Sequence, residues 1–451
     1  MNIAIIGGGF TGLTAAYELA KAGHHVTVFE KDKILGGLAH GFRRPGWSWH
    51  LEYAYHHLFA NDLAILSLMK ELGLKDKLIL TRPVTANYIP SSVIARSLRR
   101  SNLVLGKIAT PSERSRDDNE AIVQLDSPIH LLRYPNLSPL DKLRTAFLLA
   151  FCKINPFWQP MEAITAKNLF ETIGGRQAWQ TLWEPLMVGK FGDLADTVAA
   201  SWLAARIKKR TPKLYYISGG FYTLVAALER AINQTGGKII TGVTVNKIEK
   251  KNSSFVIRHS SFNKVLLTVP TPIAAKLVSR SSFIIHHSSL SIPHLHAQTL
   301  ILETKEPILK YTYWLNITDR SFPFLAVVAH TNMIDKKHYG SHHITYFGNY
   351  LPDNHPYLSM SKNQLLKVFL PFIKRLNPTF YSSFIIHHFS FIGLYAQPVH
   401  QLHYSQKAPK LETGIPGVYL ANLDSIYPWD RGTNYAVELG IRAAIAINAS
   451  R

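Results

Sequence analysis

"NIAIIGGGFTGLTAAYELAKAGHHVTVFEK", residues Asn2–Lys31, is the stretch on which the fold turns. Ile3–Ile6 is a short apolar run of buried-strand type. Gly7, Gly9 and Gly12 follow in the spacing G-x-G-x-x-G. Gly7 permits a tight turn, Gly9 lets the backbone approach a pyrophosphate, and Gly12 lets a helix lie close to the sheet. Phe10 and Thr11 open that helix, whose free N–H groups and positive dipole end suit phosphate. Ala16, Leu19 and Ala20 recur at helical spacing, and Gly23 ends the helix. His25–Phe29 reads as a second strand. Glu30 closes it, 18 residues beyond Gly12 and followed by Lys31, where a carboxylate accepts hydrogen bonds from an adenosine ribose. The glycines alone are a weak signal. Strand, glycines, helix, strand and acid in that order predict a dinucleotide-binding α/β unit.

The chain has 451 residues, which suits about two or three domains of roughly 150 residues. The single cysteine, Cys152, excludes an intrachain disulfide and a cysteine-ligated zinc or iron–sulfur site. Lys plus Arg exceed Asp plus Glu by 50 − 29 = 21, a balance that favours anionic partners. The basic runs Arg96–Arg100 and Arg206–Lys213 lack interleaved aromatics, so no nucleic-acid partner is expected. Histidines recur in pairs, and His294 and His296 would share one face of a strand. No carboxylate or cysteine stands at ligand spacing beside them, so no metal site is expected. The apolar segment at Ile3 runs into glycines without a basic leader, and Ala146–Phe151 stops at Cys152-Lys153, short of the ~18 residues of a spanning helix. A cytoplasmic protein is the expectation, with peripheral membrane contact left open and the oligomeric state unassigned.

Gly36-Gly37 lies six residues beyond Glu30. A nicotinamide site has no need of this second close approach, whereas the longer FAD does. With it, the N-terminus resembles the FAD-binding start of the flavin amine oxidase, protoporphyrinogen oxidase and phytoene desaturase superfamily. Leu38 stands where that superfamily usually has an arginine, so only backbone is offered there. Trp49–Leu74 carries Glu52, His56 and His57 among aromatics, then Leu63, Leu66, Met69 and Leu72 at the spacing of an amphipathic helix. "YHHLF" (Tyr55–Phe59) is similar to the segment of UDP-galactopyranose mutases in which a histidine lies against the flavin, which implies that role for His57 or its neighbour. Tyr215–Leu277 also matches the superfamily. Gly219-Gly220 precedes a helix with Leu224, Ala227, Leu228 and Ile232 on one face, and Val245 and Ile248 follow in a strand whose Val245 backbone would contact the adenine. Leu103–Asn119 is polar, charged in both signs, and reads as a surface loop.

"IYPWDRGTNYAVELG", Ile426–Gly440, makes the third match. After a buried-type strand, Val418–Ala421, it sets Asp430, Arg431, Gly432, Thr433 and Asn434 at the start of a helix whose Ala436, Leu439, Ala443 and Ile447 face inward. Packing alone asks for no such polar cluster. The resemblance implies that this helix end meets the pyrimidine side of the flavin, with Arg431 adding positive charge. Asp430 would hold Arg431 or bind the ribityl chain, and Asp424 is the alternative for the latter. The implied fold is α/β: a glutathione-reductase-type doubly wound FAD-binding domain from residues 1–75, 215–280 and 411–451. An antiparallel-sheet and helical substrate domain from 76–214 and 281–410 is inserted in it. The implied activity is FAD-dependent oxidation of a small molecule, anionic on the evidence of the charge balance, with hydride passing from a C–H bond to flavin N5. His342–Tyr350 and Gly393–Val399 are expected to line the substrate cavity, and no catalytic base is assigned. A flavin-dependent nucleotide-sugar mutase and a non-catalytic flavoprotein are the alternatives.

Overall fold

The computed structural model describes residues 1–89, 121–134, 137–278 and 287–450. The basic run Arg96–Arg100, the polar stretch Leu103–Asn119 and His286 lie outside the described residues. Five parallel strands form one sheet in the order Lys238–Ile240, His25–Phe29, Asn2–Ile6, Lys264–Leu267, Val418–Leu420. Three distant parts of the chain therefore meet edge to edge. The central strand is buried on both faces, as its unbroken apolar run requires. Its alternation assigns the faces: Ile3 and Ile5 pack on the helical side. Ala4 and Ile6 pack on Phe255, Ile257 and Phe262 of a three-stranded antiparallel layer, Glu249–Lys251, Ser254–Ile257 and Ser260–Phe262.

Val245 corrects the reading of this region. It is buried but lies in irregular chain, and Ile248 makes only an isolated bridge to Val278. The backbone before it folds over the end of the second strand instead of entering a ladder: Gly242 N–H donates to Asp32 O and Val243 N–H to Glu30 O, each at 2.9 Å. The helix Leu63–Glu71 departs from its expected inward stripe at one position, while Leu66 and Leu72 pack partly buried against the core. Ile65, Leu68 and Met69 are buried, while Leu63 is exposed.

A second sheet of seven strands runs Ile385–Pro398, His294–Thr304, His343–Leu351, Ala326–Ala329, Thr312–Ile317, Val84–Ile89, Ala121–Gln124. It is antiparallel except where Thr312–Ile317 pairs in parallel with Val84–Ile89. Beside it lies a helical layer, including Pro139–Ile154, Ala166–Gly174, Glu184–Phe191 and Ala200–Lys209, around Phe170, Phe191 and Trp202. The last helix, Thr433–Ala449, returns to the first, Phe10–Lys21.

Candidate functional site

The glycine turn is shaped by positions that have no room for a side chain and one that has. Gly7 has φ +114°, a conformation that favours glycine. A Cβ on Gly12 would run into the Gly7 carbonyl, so the first helix can cross there only without a side chain. Gly9 differs: a Cβ on it would meet nothing nearer than the Gly37 Cα at 3.7 Å. The protein leaves room at Gly9, on the side bounded by the second glycine pair. Gly36 N–H donates to Gly8 O at 2.9 Å and closes this cradle. The N–H groups of Phe10, Thr11 and Gly12 precede the first intrahelical bond, which runs from Leu13 N–H to Gly9 O. Glu30 is buried at the end of the second strand. Its Oε2 accepts from Gly8 N–H at 2.6 Å and its Oε1 from Asp32 N–H at 2.9 Å, while Lys31 is exposed. The backbone of Val245 has no hydrogen-bond partner among the described residues, so its polar groups are available nearby.

The last helix brings a second set of free N–H groups to this region. Gly440 meets the first helix so closely that a Cβ would lie 2.6 Å from Thr11 O and 2.9 Å from Thr14 Cβ. Farther along, His24 Nε2 lies 3.1 Å from Asn448 Oδ1. The two helices are therefore parallel, and both N-termini point to the carboxyl edge of the parallel sheet. That edge is where open α/β sheets bind ligands, and the paired dipole ends favour negative charge. Gly432 and Thr433 start the last helix. The Asn434 side chain accepts from Ile65 N–H at 3.2 Å and orients the helix Leu63–Glu71.

Asp430 does not hold Arg431. Its Oδ1 accepts from Trp202 Nε1 at 3.0 Å and Gln397 Nε2 at 3.2 Å, its Oδ2 is ion-paired with Arg206, and Lys190 Nζ lies 3.6 Å away. Burial alone would raise this carboxyl, but Lys190 and then Arg206 outweigh it and hold Asp430 below the ordinary carboxylate range. Burial drives the Lys190 ammonium well below its ordinary value, with Asp430 opposing. Arg431 Nε donates to Gln397 Oε1 at 3.0 Å, and its guanidinium lies 4.7 Å from the Tyr350 ring centroid. Burial lowers Arg431 to about 10, so it stays cationic at neutral pH. Even with Lys190 neutral, the cluster holds two guanidinium groups, Arg206 and Arg431, and one carboxylate, of which Arg206 alone pairs with Asp430. Tyr350 and Gln397 come from His342–Tyr350 and Gly393–Val399, so both segments expected to line a cavity converge on Arg431. Asp424 is engaged elsewhere, with His294 Nε2 at 2.8 Å. His296 is likewise paired, with Asp353.

Tyr53–His57 crosses the seven-stranded sheet. Tyr53 O accepts from Thr299 Oγ1 at 2.6 Å, Tyr55 presses on Gly348 and lies 4.9 Å from the Trp314 ring, and His57 Nδ1 is 3.0 Å from Tyr313 Oη. Burial lowers His56 to about 4 and His57 to about 3, so both are neutral near pH 7. His56 Nδ1 lies 2.7 Å from Ala54 O, which can only accept, so the proton sits on Nδ1 and Nε2 is left as an acceptor. Glu52 ties this segment to the Gly219-Gly220 turn through Phe221 N–H at 2.7 Å and Tyr216 Oη at 2.9 Å. Leu38 connects the second glycine pair to the same sheet, lying so near Gly393 that a Cβ there would be 2.9 Å from it. Lys190 and Trp202 escaped sequence reasoning, because their partner Asp430 lies far along the chain, 228 residues from Trp202. Arg206 carried a faint signal as the first residue of a basic run.

The chain and its fold are matched in known proteins. The family described as flavin containing amine oxidoreductase matches residues 10–448. The zeta-carotene desaturase of Arabidopsis thaliana is 25% identical over 272 residues, 53% of this chain and 42% of that protein. The matched stretches cover no more than 42% of the first three curated relatives. A protein of Exiguobacterium sp. 255-15, described provisionally as a protoporphyrinogen oxidase, has a TM-score of 0.74 at 17% identity, with 100% of this chain and 99% of that one covered. Reduced UDP-galactopyranose mutase has a TM-score of 0.72 at 13% identity, covering 99% and 95%. Such structural likenesses show the fold alone.

Proposed function

This chain belongs to the flavin-containing amine oxidoreductase family, with FAD as its cofactor, and on that premise we propose that it oxidises a small anionic molecule at a C–H bond. When bound, the flavin supplies a two-electron acceptor for that bond. The glycine cradle at Gly7, Gly9, Gly36 and Gly37 would take the pyrophosphate, Glu30 the ribose, and the Val245 backbone the adenine. The N-terminus at Gly432–Thr433 would favour negative charge on the ring's pyrimidine side. The observation that carries the proposal is the convergence of two parallel helix N-termini beside a cluster with excess positive charge.

Arg431 and Arg206 would orient an anionic group of the substrate, and Tyr350 would fix the plane of Arg431. Tyr55, Trp314 and the neutral His56 and His57 would exclude water from the reacting bond, with His56 Nε2 able to accept a proton. The basic cluster equally suits the diphosphate of a nucleotide sugar, which supports a second, non-redox reading as a mutase. Anaerobic titration with candidate acids separates the two. Loss of the oxidised flavin absorbance on adding substrate supports oxidation, and turnover only after dithionite reduction overturns it in favour of the mutase. Arg431→Gln should raise KM by on the order of tenfold or more, with a smaller change in kcat, through loss of a charge-assisted contact.

A further inference from the structure

The helix Pro139–Ile154 is apolar on the wrong side. Its inward face buries Thr145, Leu148 and Cys152. A surface helix would then turn charged residues outward. Here Leu140, Leu143, Phe147 and Ile154 occupy successive turns of the outward face, with Ala146 and Ala150 also exposed between them. Leu132, just before the helix, and Phe157, just after it, extend the stripe, and these six large side chains are each between 62% and 78% exposed. Single exposed apolar residues are ordinary, but a contiguous stripe marks an interaction surface.

The surroundings identify the partner. Arg133, Lys142, Arg144 and Lys153 flank the stripe. Lys142, Arg144 and Lys153 bond to backbone carbonyls, and none of the four is paired with a carboxylate among the described residues. The helix's one carboxylate, Asp141, is turned back onto the Ser138 N–H and hydroxyl as a cap. An apolar face with basic margins, on a chain of net charge +21, matches an anionic lipid surface. No helix among the described residues is long and apolar enough to cross a membrane, so the contact would lie in the interface plane.

We propose that the face formed by Leu132, Leu140, Leu143, Phe147, Ile154 and Phe157 docks this protein on anionic bilayers. The docked face belongs to the same helical layer as Trp202 and Arg206, which hold Asp430. The proposal rests on this surface and is independent of the reaction inferred above.

Flotation of the purified holoprotein with vesicles tests it. Binding is expected to phosphatidylcholine mixed with phosphatidylglycerol, more weakly to phosphatidylcholine alone, and to fall with salt. Leu143→Glu and Phe147→Glu should each weaken it by on the order of tenfold or more. Ile445→Glu, an exposed apolar position on the last helix, should leave it unchanged. Flavin absorbance and thermal unfolding of each variant establish that it is folded. Absence of flotation with either vesicle overturns the proposal, as does flotation indifferent to both patch variants. A wild-type dimer that these variants split, with no vesicle binding, would overturn it in favour of a second copy as the occupant.

Discussion

Gly9 and Gly12 lie three residues apart and do opposite jobs. A methyl group on Gly12 has nowhere to go, so Gly12→Ala should lower the stability of the apoprotein itself, by about 1–3 kcal/mol. A methyl group on Gly9 meets only ordinary contacts. Gly9→Ala should therefore unfold like the parent without cofactor but bind FAD on the order of tenfold or more less tightly, because the lost space is the ligand's. Equal FAD affinity, measured by absorbance titration, would contradict this. Glu52 supplies a pH test. Burial raises its carboxyl from the ordinary 4.5 to about 7. The folded chain then holds that proton more tightly than the unfolded chain, so this group's contribution is greatest below pH 4.5 and declines as pH rises to about 7, by on the order of 3 kcal/mol. Glu52→Gln should flatten thermal stability across that window, and parallel profiles would refute the assignment. The glycines were legible because their spacing is a local pattern, even though Gly9 meets Gly37 across the turn. Glu52 was noticed only as a polar group among aromatics, since Tyr216 and Phe221, which enclose it, arrive from far along the chain.

Between elements, the central feature is the parallel pairing of the first and last helices. Gly440 sets their separation, and Gly440→Leu should cost about 1–3 kcal/mol in denaturant unfolding and weaken FAD binding together, because it moves one N-terminus relative to the other. Loss of stability with unchanged FAD affinity would show that the last helix does not serve the cofactor. The inward positions of this helix could be read from periodicity: Leu439, Ala443 and Ile447 are buried. Its direction could not, since parallel and antiparallel packing bury the same stripe. The helix Leu63–Glu71 shows the same limit. Leu63 looked inward but is exposed; Asn434 fixes the Ile65 N–H, and Ile65 and Leu68 join Leu66 and Met69 against the core. Val245 was read as strand within the block that resembles the superfamily. The backbone there is drawn instead to Glu30 and Asp32, partners that propensity does not reveal.

At the scale of the molecule, one parallel sheet joins residues from the N-terminus, the middle and the C-terminus. Gln397 and Tyr350 of the seven-stranded sheet meet Arg431, just before the last helix. The sequence blocks that build the first sheet carried glycine and periodicity signals strong enough to place. The helical layer carried only the basic run that starts at Arg206, so Lys190 and Trp202 emerged only when folding brought them to Asp430. The division into a discontinuous cofactor domain and a substrate domain follows the two sheets and remains our proposal. The account stands on the two chain ends closing around one dinucleotide. Its most direct measurement is the absorbance spectrum of the purified protein, with cofactor released by heat and quantified per chain. One FAD per chain, present on purification or taken up on addition, is the predicted result. A colourless protein that stays colourless, with no spectral change when FAD is added, would contradict it.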